Sequence, residues 1–152
     1  MKSANILMRW GAQLVLEGPV KKLSIPELSS QLGQSGNQLT ERLATCGDTQ
    51  VNRRQLSHLI GIERWGQRRL RVAIGEPYLD EEYDHYCPSL EKTWDELISE
   101  WKNTRQTSIT MTKEISELNS KKILHNQFGP LSVKAWLRYL DVHASSEGRK
   151  IK

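Results

Sequence analysis

The 152-residue chain is 37% hydrophobic and 26% charged with a mean hydropathy of −0.61, the balance of one soluble globular domain and not of a disordered chain. No apolar run nears the roughly 18 residues that cross a bilayer, and Arg9, Trp10, Gln13 and Glu17 interrupt the leading segment where a cleavable signal needs a continuous apolar core, so a cytoplasmic protein without a membrane partner is expected. Lys and Arg number 22 against 18 Asp and Glu, a net charge of +4, but acids are interspersed among the cations, which disfavours nucleic acid as the partner.

The first predicted element is an extra helix from about Ser3 to Glu17, with Ile6, Leu7, Trp10 and Leu14 on one side. It falls in a leading segment, residues 1–23, that precedes a helical domain over 24–152. Ser24-Ile25-Pro26-Glu27 combines an N-cap serine, a first-turn proline and an acid three residues on, so a helix begins there and reaches about Thr45 before Gly47. Asp48 or Asn52 opens the next, which carries Leu56, Leu59, Ile60, Leu70 and Ile74 and closes at Gly75 and Pro77. The acidic, proline-bounded run GEPYLDEEYDHYCP reads as a long ordered connection. A helix from about Ser89 to Leu118 follows, with Pro88 suited to its first turn and Leu90, Trp94, Leu97 and Trp101 forming one stripe. Ser132 caps a final helix bearing Val133, Trp136, Leu137, Leu140 and Ala144. No segment alternates long enough to announce a strand, so the chain reads as all-α, a helical bundle.

Cys46 and Cys87 lack a CxxC spacing, which excludes a disulfide framework or a cysteine zinc site. Each reads as a small buried or half-buried apolar residue. Arg64, Arg68 and Arg71 share a helical stripe, with Arg69 beside it, and read as a solvated face near a helix C-terminus.

The chemistry-bearing residues are histidines and one glutamate. His58 sits within Leu56-Ser57-His58-Leu59-Ile60, on or near an apolar stripe, where an imidazole without a partner is costly. His143 and Glu147 stand four apart, one above the other on the last helix. That spacing lets one helix give a divalent metal two ligands, with His58 as a third from a facing helix; it also suits a hydrogen-bonded structural pair. His125 reaches the mouth of the bundle or is satisfied by backbone, His85 lies in a solvated acidic loop, and Glu63 is rotated away from His58 as a salt-bridge member.

The runs His58-Leu-Ile-Gly-Ile-Glu-Arg-Trp-Gly-Gln-Arg-Arg-Leu70, His125-Asn-Gln-Phe-Gly-Pro-Leu-Ser132 and Trp136-Leu-Arg-Tyr-Leu-Asp-Val-His-Ala-Ser-Ser-Glu147 resemble the DinB-like family in order and separation. The resemblance covers about Ser24 to Lys152. It implies a four-helix bundle of up-up-down-down connectivity, often a homodimer, holding zinc or nickel through a histidine of its second helix and an HxxxH pair on its last. Carried over, the ligands are His58 and His143, with Glu147 where the family has its second histidine. Two histidines and one carboxylate with open positions are still a ligand set for a divalent metal. Tyr139, one turn before His143, and His125 would flank the bound species. The family implies metal-dependent chemistry on a small thiol, as a transferase or hydrolase-type enzyme; the alternative is a non-catalytic dimeric stress or binding protein with a degenerate site.

Overall fold

The computed structural model describes residues 6–152. The chain is mostly helical, with 68% of residues in helices and one short two-stranded sheet among those described. Helix α1 spans residues 6–20 as an α segment Ile6–Ala12, a π turn Gln13–Glu17 and a closing turn Gly18–Val20. Helices α2 (Ile25–Leu43), α3 (Gln50–Leu70), α4 (Trp94–Met111) and α5 (Val133–Gly148) follow, with hairpin strands β1 (Lys122–His125) and β2 (Gly129–Ser132) between the last two. None of these helices is long and apolar enough to cross a membrane.

The helix starts follow their caps. Ser24 accepts from the Glu27 amide while Glu27 reaches back to the Ser24 amide, the reciprocal pair that satisfies two orphan donors of α2. Thr49, and neither Asp48 nor Asn52, caps α3; Asn52 is one turn inside, where its side-chain amide donates to the carbonyls of Gly47 and Lys152. The α turn ends at Leu70 and a 3-10 turn, Arg71–Ile74, runs on to Gly75, whose φ of 106° is the left-handed closure that glycine takes readily. Ser132 caps α5 through the Ala135 amide.

The fourth helix is shorter than the sequence predicts. Thr93 and Glu96 form a second reciprocal cap, so α4 begins at Trp94 and leaves Pro88 and Leu90 outside it, with Leu90 37% exposed. At its other end the chain tightens into Thr112–Glu114 and leaves the helix. Strong local capping overrides a spacing that continues upstream only by chance. The acidic connection holds one 3-10 turn, Tyr83–Tyr86.

The hairpin is an element that the sequence does not announce. Its strands have four residues each, paired antiparallel with His125 opposite Gly129, and β2 includes Pro130. Four residues give too few alternations to recognise, and a proline argues against a strand except at an edge. Gly129 takes the φ of 78° that closes the three-residue loop 126–128.

Helix α2 packs against α4 and α5, and α3 against the same two. Leu32, Leu56, Leu97, Trp101, Trp136 and Leu140 are wholly buried. Close approach of α3 to α5 depends on Gly66, because a Cβ there would run into Leu140. Glu63 and Arg105 form a buried ion pair, with Arg105 Nε 3.0 Å from Glu63 Oε1 and Ser108 donating to the same carboxylate at 2.7 Å.

Helix α1 joins the same core through Ala12, Leu16 and Val20. The side predicted to be its apolar face turns outward: Ile6, Leu7, Trp10 and Leu14 are all exposed, Trp10 at 69%. Ser3, the predicted start, lies outside the described residues. Buried Glu17 ties α1 to the hairpin, accepting from the Ser132 amide at 2.6 Å, the Ser132 hydroxyl at 2.8 Å and Lys122 Nζ at 3.1 Å.

The arginine stripe is not simply solvated. Arg64 pairs with Glu100, Arg68 and Arg71 pair with Glu76, and Arg69 is buried, its guanidinium over the rings of Trp65 and Tyr78. Tryptophan and tyrosine faces supply what a solvent shell otherwise would.

Candidate functional site

The site lies where α3, α5 and the hairpin meet. His58 from α3 and His143 from α5 are half-buried and face each other, ring centroids 5.3 Å apart. Tyr83, from the 3-10 turn, stands edge-on to His58 at 5.0 Å. His125, at the end of β1, is 3% exposed and packs among Trp65, Trp136, Tyr139 and Phe128, stacking on the last at 4.4 Å. All three histidines border a cavity of about 360 Å³ that Tyr139 and Glu147 also line.

Helical geometry explains the meeting. His58 and Trp65 are seven residues apart on α3, two turns and the same face. Tyr139, His143 and Glu147 repeat every four residues on α5. The hairpin supplies the remaining wall, anchored to α5 by the Trp136 indole donating to the Ile123 carbonyl at 3.0 Å.

The imidazoles are held towards their neutral forms. Burial, with the Arg69 charge behind it, pushes His125 down to about 3. Burial and neighbouring His58 bring His143 to about 4, against a partial pull upward from Glu147. His58 is lowered by burial, against an upward pull from the Glu147 charge. Burial and the Glu147 charge raise the Tyr139 phenol, which leaves it protonated as a donor.

The hydrogen bonds of the Glu147 carboxylate go to Lys150 and Gln55 and not to the histidines. Both its oxygens lie 2.8 Å from Lys150 Nζ, and Gln55 donates to it at 2.8 Å; these contacts, the lysine first, hold its carboxyl below the usual range. No three His, Cys, Asp or Glu side chains among the described residues stand together as metal ligands. The structure thus brings together the two imidazoles expected from the sequence and withholds the carboxylate. The donor set does not fit a three-ligand metal centre.

Of the other sequence candidates, His85, Cys46 and Cys87 stand apart from the cavity. His85 is exposed. Cys46 and Cys87 are free and half-buried, and burial raises the Cys87 thiol, the opposite of an activated nucleophile. His125 satisfies both of its readings: its Nδ1 accepts from the Gln127 and Phe128 amides, and its ring borders the cavity.

Sequence reasoning missed Trp65, Tyr83 and Phe128 as cavity residues. Trp65 was within reach, two turns from His58; Tyr83 and Phe128 depend on a loop and a hairpin that periodicity does not place. It also missed a second, mostly apolar cavity of about 390 Å³ between α1 and α5, where Met8, Ala12 and Leu16 face Val142. The two cavities share Phe128, Tyr139, His143 and Glu147 as walls.

No protein-family model matches the chain, and neither does a curated protein or a solved structure.

Proposed function

We propose that the chain is a DinB-like four-helix-bundle protein whose His58/His143 pocket binds a small molecule, with the metal site of that family degenerate. The observation that carries this reading is the engagement of Glu147 by Lys150 and Gln55 beside two unengaged imidazoles in an aromatic-walled cavity. Concave, largely apolar sites with a few convergent polar groups are where small ligands bind. Association into homodimers belongs to this reading through the family resemblance.

The test uses N-phenyl-1-naphthylamine, a neutral dye whose fluorescence rises on burial. It should bind one site per chain saturably, and His58→Trp, which puts an indole into the cavity, should abolish binding while the protein still melts cooperatively. Absence of saturable binding to the native protein sinks the reading.

The competing reading is a metal-dependent enzyme acting on a small thiol, favoured by the 5.3 Å approach of His58 and His143 with Glu147 one turn further along α5. It requires Glu147 to leave Lys150. Near-stoichiometric zinc or nickel in protein purified without chelator or affinity metal, lost in His143→Ala, would establish it; metal-free protein whose melting ignores both ions counts against it.

A further inference from the structure

Helix α1 is apolar on two sides, and the fold covers one of them. Ala12, Leu16 and Val20, four residues apart, join the core. Ile6, Trp10 and Leu14 repeat at the same interval on the other side and are 71%, 69% and 75% exposed. Met8 and Val15, each half exposed, also line the apolar cavity between α1 and α5, so the apolar surface continues from this stripe into a recess of about 390 Å³. A helix that is apolar all round is ordinarily covered all round, and a contiguous exposed apolar patch marks an interaction surface.

We propose that α1 docks on an anionic lipid surface, with Ile6, Trp10 and Leu14 entering the acyl boundary and the surrounding cations meeting the headgroups. Charge selects this occupant. Between Ile6 and Leu23 the cations are Arg9, Lys21 and Lys22, all exposed, and the one acid, Glu17, is buried with its oxygens taken by Ser132 and Lys122. Arg138 stands against the same helix, donating to the Val15 carbonyl at 2.8 Å. Glu117, in the cleft beside Val20 and Lys21, and Glu147, on the wall of the apolar cavity, are paired with Lys134 and Lys150. A two-fold contact joins the same patch to itself, so a second copy on this face would set one basic rim against another. An anionic bilayer meets that rim with the opposite charge. Tryptophan and aliphatic residues on one side, with lysines and arginines around them, are the composition of a helix that lies in an interface. The expectation of a chain without a membrane partner rests on spanning length; 15 residues are too few to span, and lying in the surface does not require it.

The experiment is co-sedimentation of the full chain with vesicles of phosphatidylcholine containing about 30 mol% phosphatidylserine, against phosphatidylcholine alone. The protein should pellet with the anionic vesicles and bind the neutral ones at least about tenfold more weakly. Trp10 is the optical probe, because the other four tryptophans are buried: its emission should shift to the blue on binding and be quenched by phosphatidylcholine brominated along its acyl chains. Leu14→Glu changes an exposed position, so it should leave Tm unchanged while weakening binding about tenfold or more. Lys21→Ala with Lys22→Ala should weaken binding to the anionic vesicles about tenfold, again without altering the melting. Protein that stays in the supernatant with anionic vesicles overturns the proposal, as does binding that Leu14→Glu leaves at native strength or that the brominated chains fail to quench. Vesicle-free protein that passes from monomer to dimer with concentration, Trp10 emission shifting with it and Leu14→Glu restoring the monomer, would make a second copy the occupant and overturn the lipid surface.

Discussion

Lys150 Nζ lies 2.8 Å from each oxygen of the Glu147 carboxylate, one turn beyond His143 on the same helix. This contact separates the imidazole pair from its expected third ligand. Replacing the carboxylate tests how much of a metal site remains. In Glu147→His the lysine has nothing to hold, and the new imidazole stands four residues from His143 with His58 facing it, a three-nitrogen set suited to zinc. Elemental analysis should show zinc rising to near one per chain, with a zinc-dependent rise in Tm that the native protein lacks. A variant with no more zinc than the native protein would show that the two helices stand wrongly for coordination.

Acid should weaken the fold through its buried imidazoles. His125 lies near 3 in the folded state against about 6.5 unfolded. Below the unfolded value the unfolded chain binds the extra proton, so the stabilisation is complete above about pH 6.5 and falls as pH drops towards 3. Between pH 7 and 4 this amounts to about 3 kcal/mol from His125 alone. Urea unfolding across that range should give a steep loss for the native protein and a shallower one for His125→Asn; parallel slopes would mean that His125 is not the group that titrates.

The Glu63–Arg105 pair is both buried and hydrogen-bonded. Glu63→Gln leaves the Arg105 charge without its counter-ion and should cost about 3–5 kcal/mol in denaturant unfolding. Adding Arg105→Met should recover part of that loss, since the penalty lies chiefly in the stranded charge. Additive losses would place the stabilisation in packing.

Glu17 anchors α1 through three hydrogen bonds, two from Ser132 at the start of α5 and one from Lys122 on β1. Glu17→Ala leaves the Ser132 amide without its acceptor and should cost about 1–3 kcal/mol. The effect should be local: amide exchange across residues 6–20 accelerates while that of α3 stays unchanged. Equal acceleration in both would mean that α1 unfolds only with the whole chain.

Much of the helical skeleton was legible because its signals are local. Ser24 with Glu27, and Ser132 before its apolar stripe, carry their cap chemistry within four residues. The stripe of α5 points inward as its spacing says, and His58 and His143 meet because each sits on an inward-facing stripe. What escaped depends on tertiary competition. Thr93 outbids Pro88 as the start of α4 because its partner Glu96 is correctly placed. The hairpin is too short to show a period and is fixed by contacts such as Trp136 to Ile123. Glu147 was placed correctly on its helix, but its carboxylate goes to Lys150, a choice between two neighbours that spacing alone does not make. Helix α1 has apolar residues on two sides, so periodicity could not say which one the core takes.

The π turn Gln13–Glu17 bears on that last point. A π turn accommodates one residue more than the α-helix around it needs, and one residue is about 100° of azimuth. Deleting a residue there would let the helix run straight and rotate everything before it by about that angle, carrying Met8 and Gly11 off the wall of the apolar cavity. The roof of the apolar cavity is thus keyed to the length of α1: substitutions in α1 alter what the roof is made of, whereas a single insertion or deletion alters which side of the helix serves as the roof.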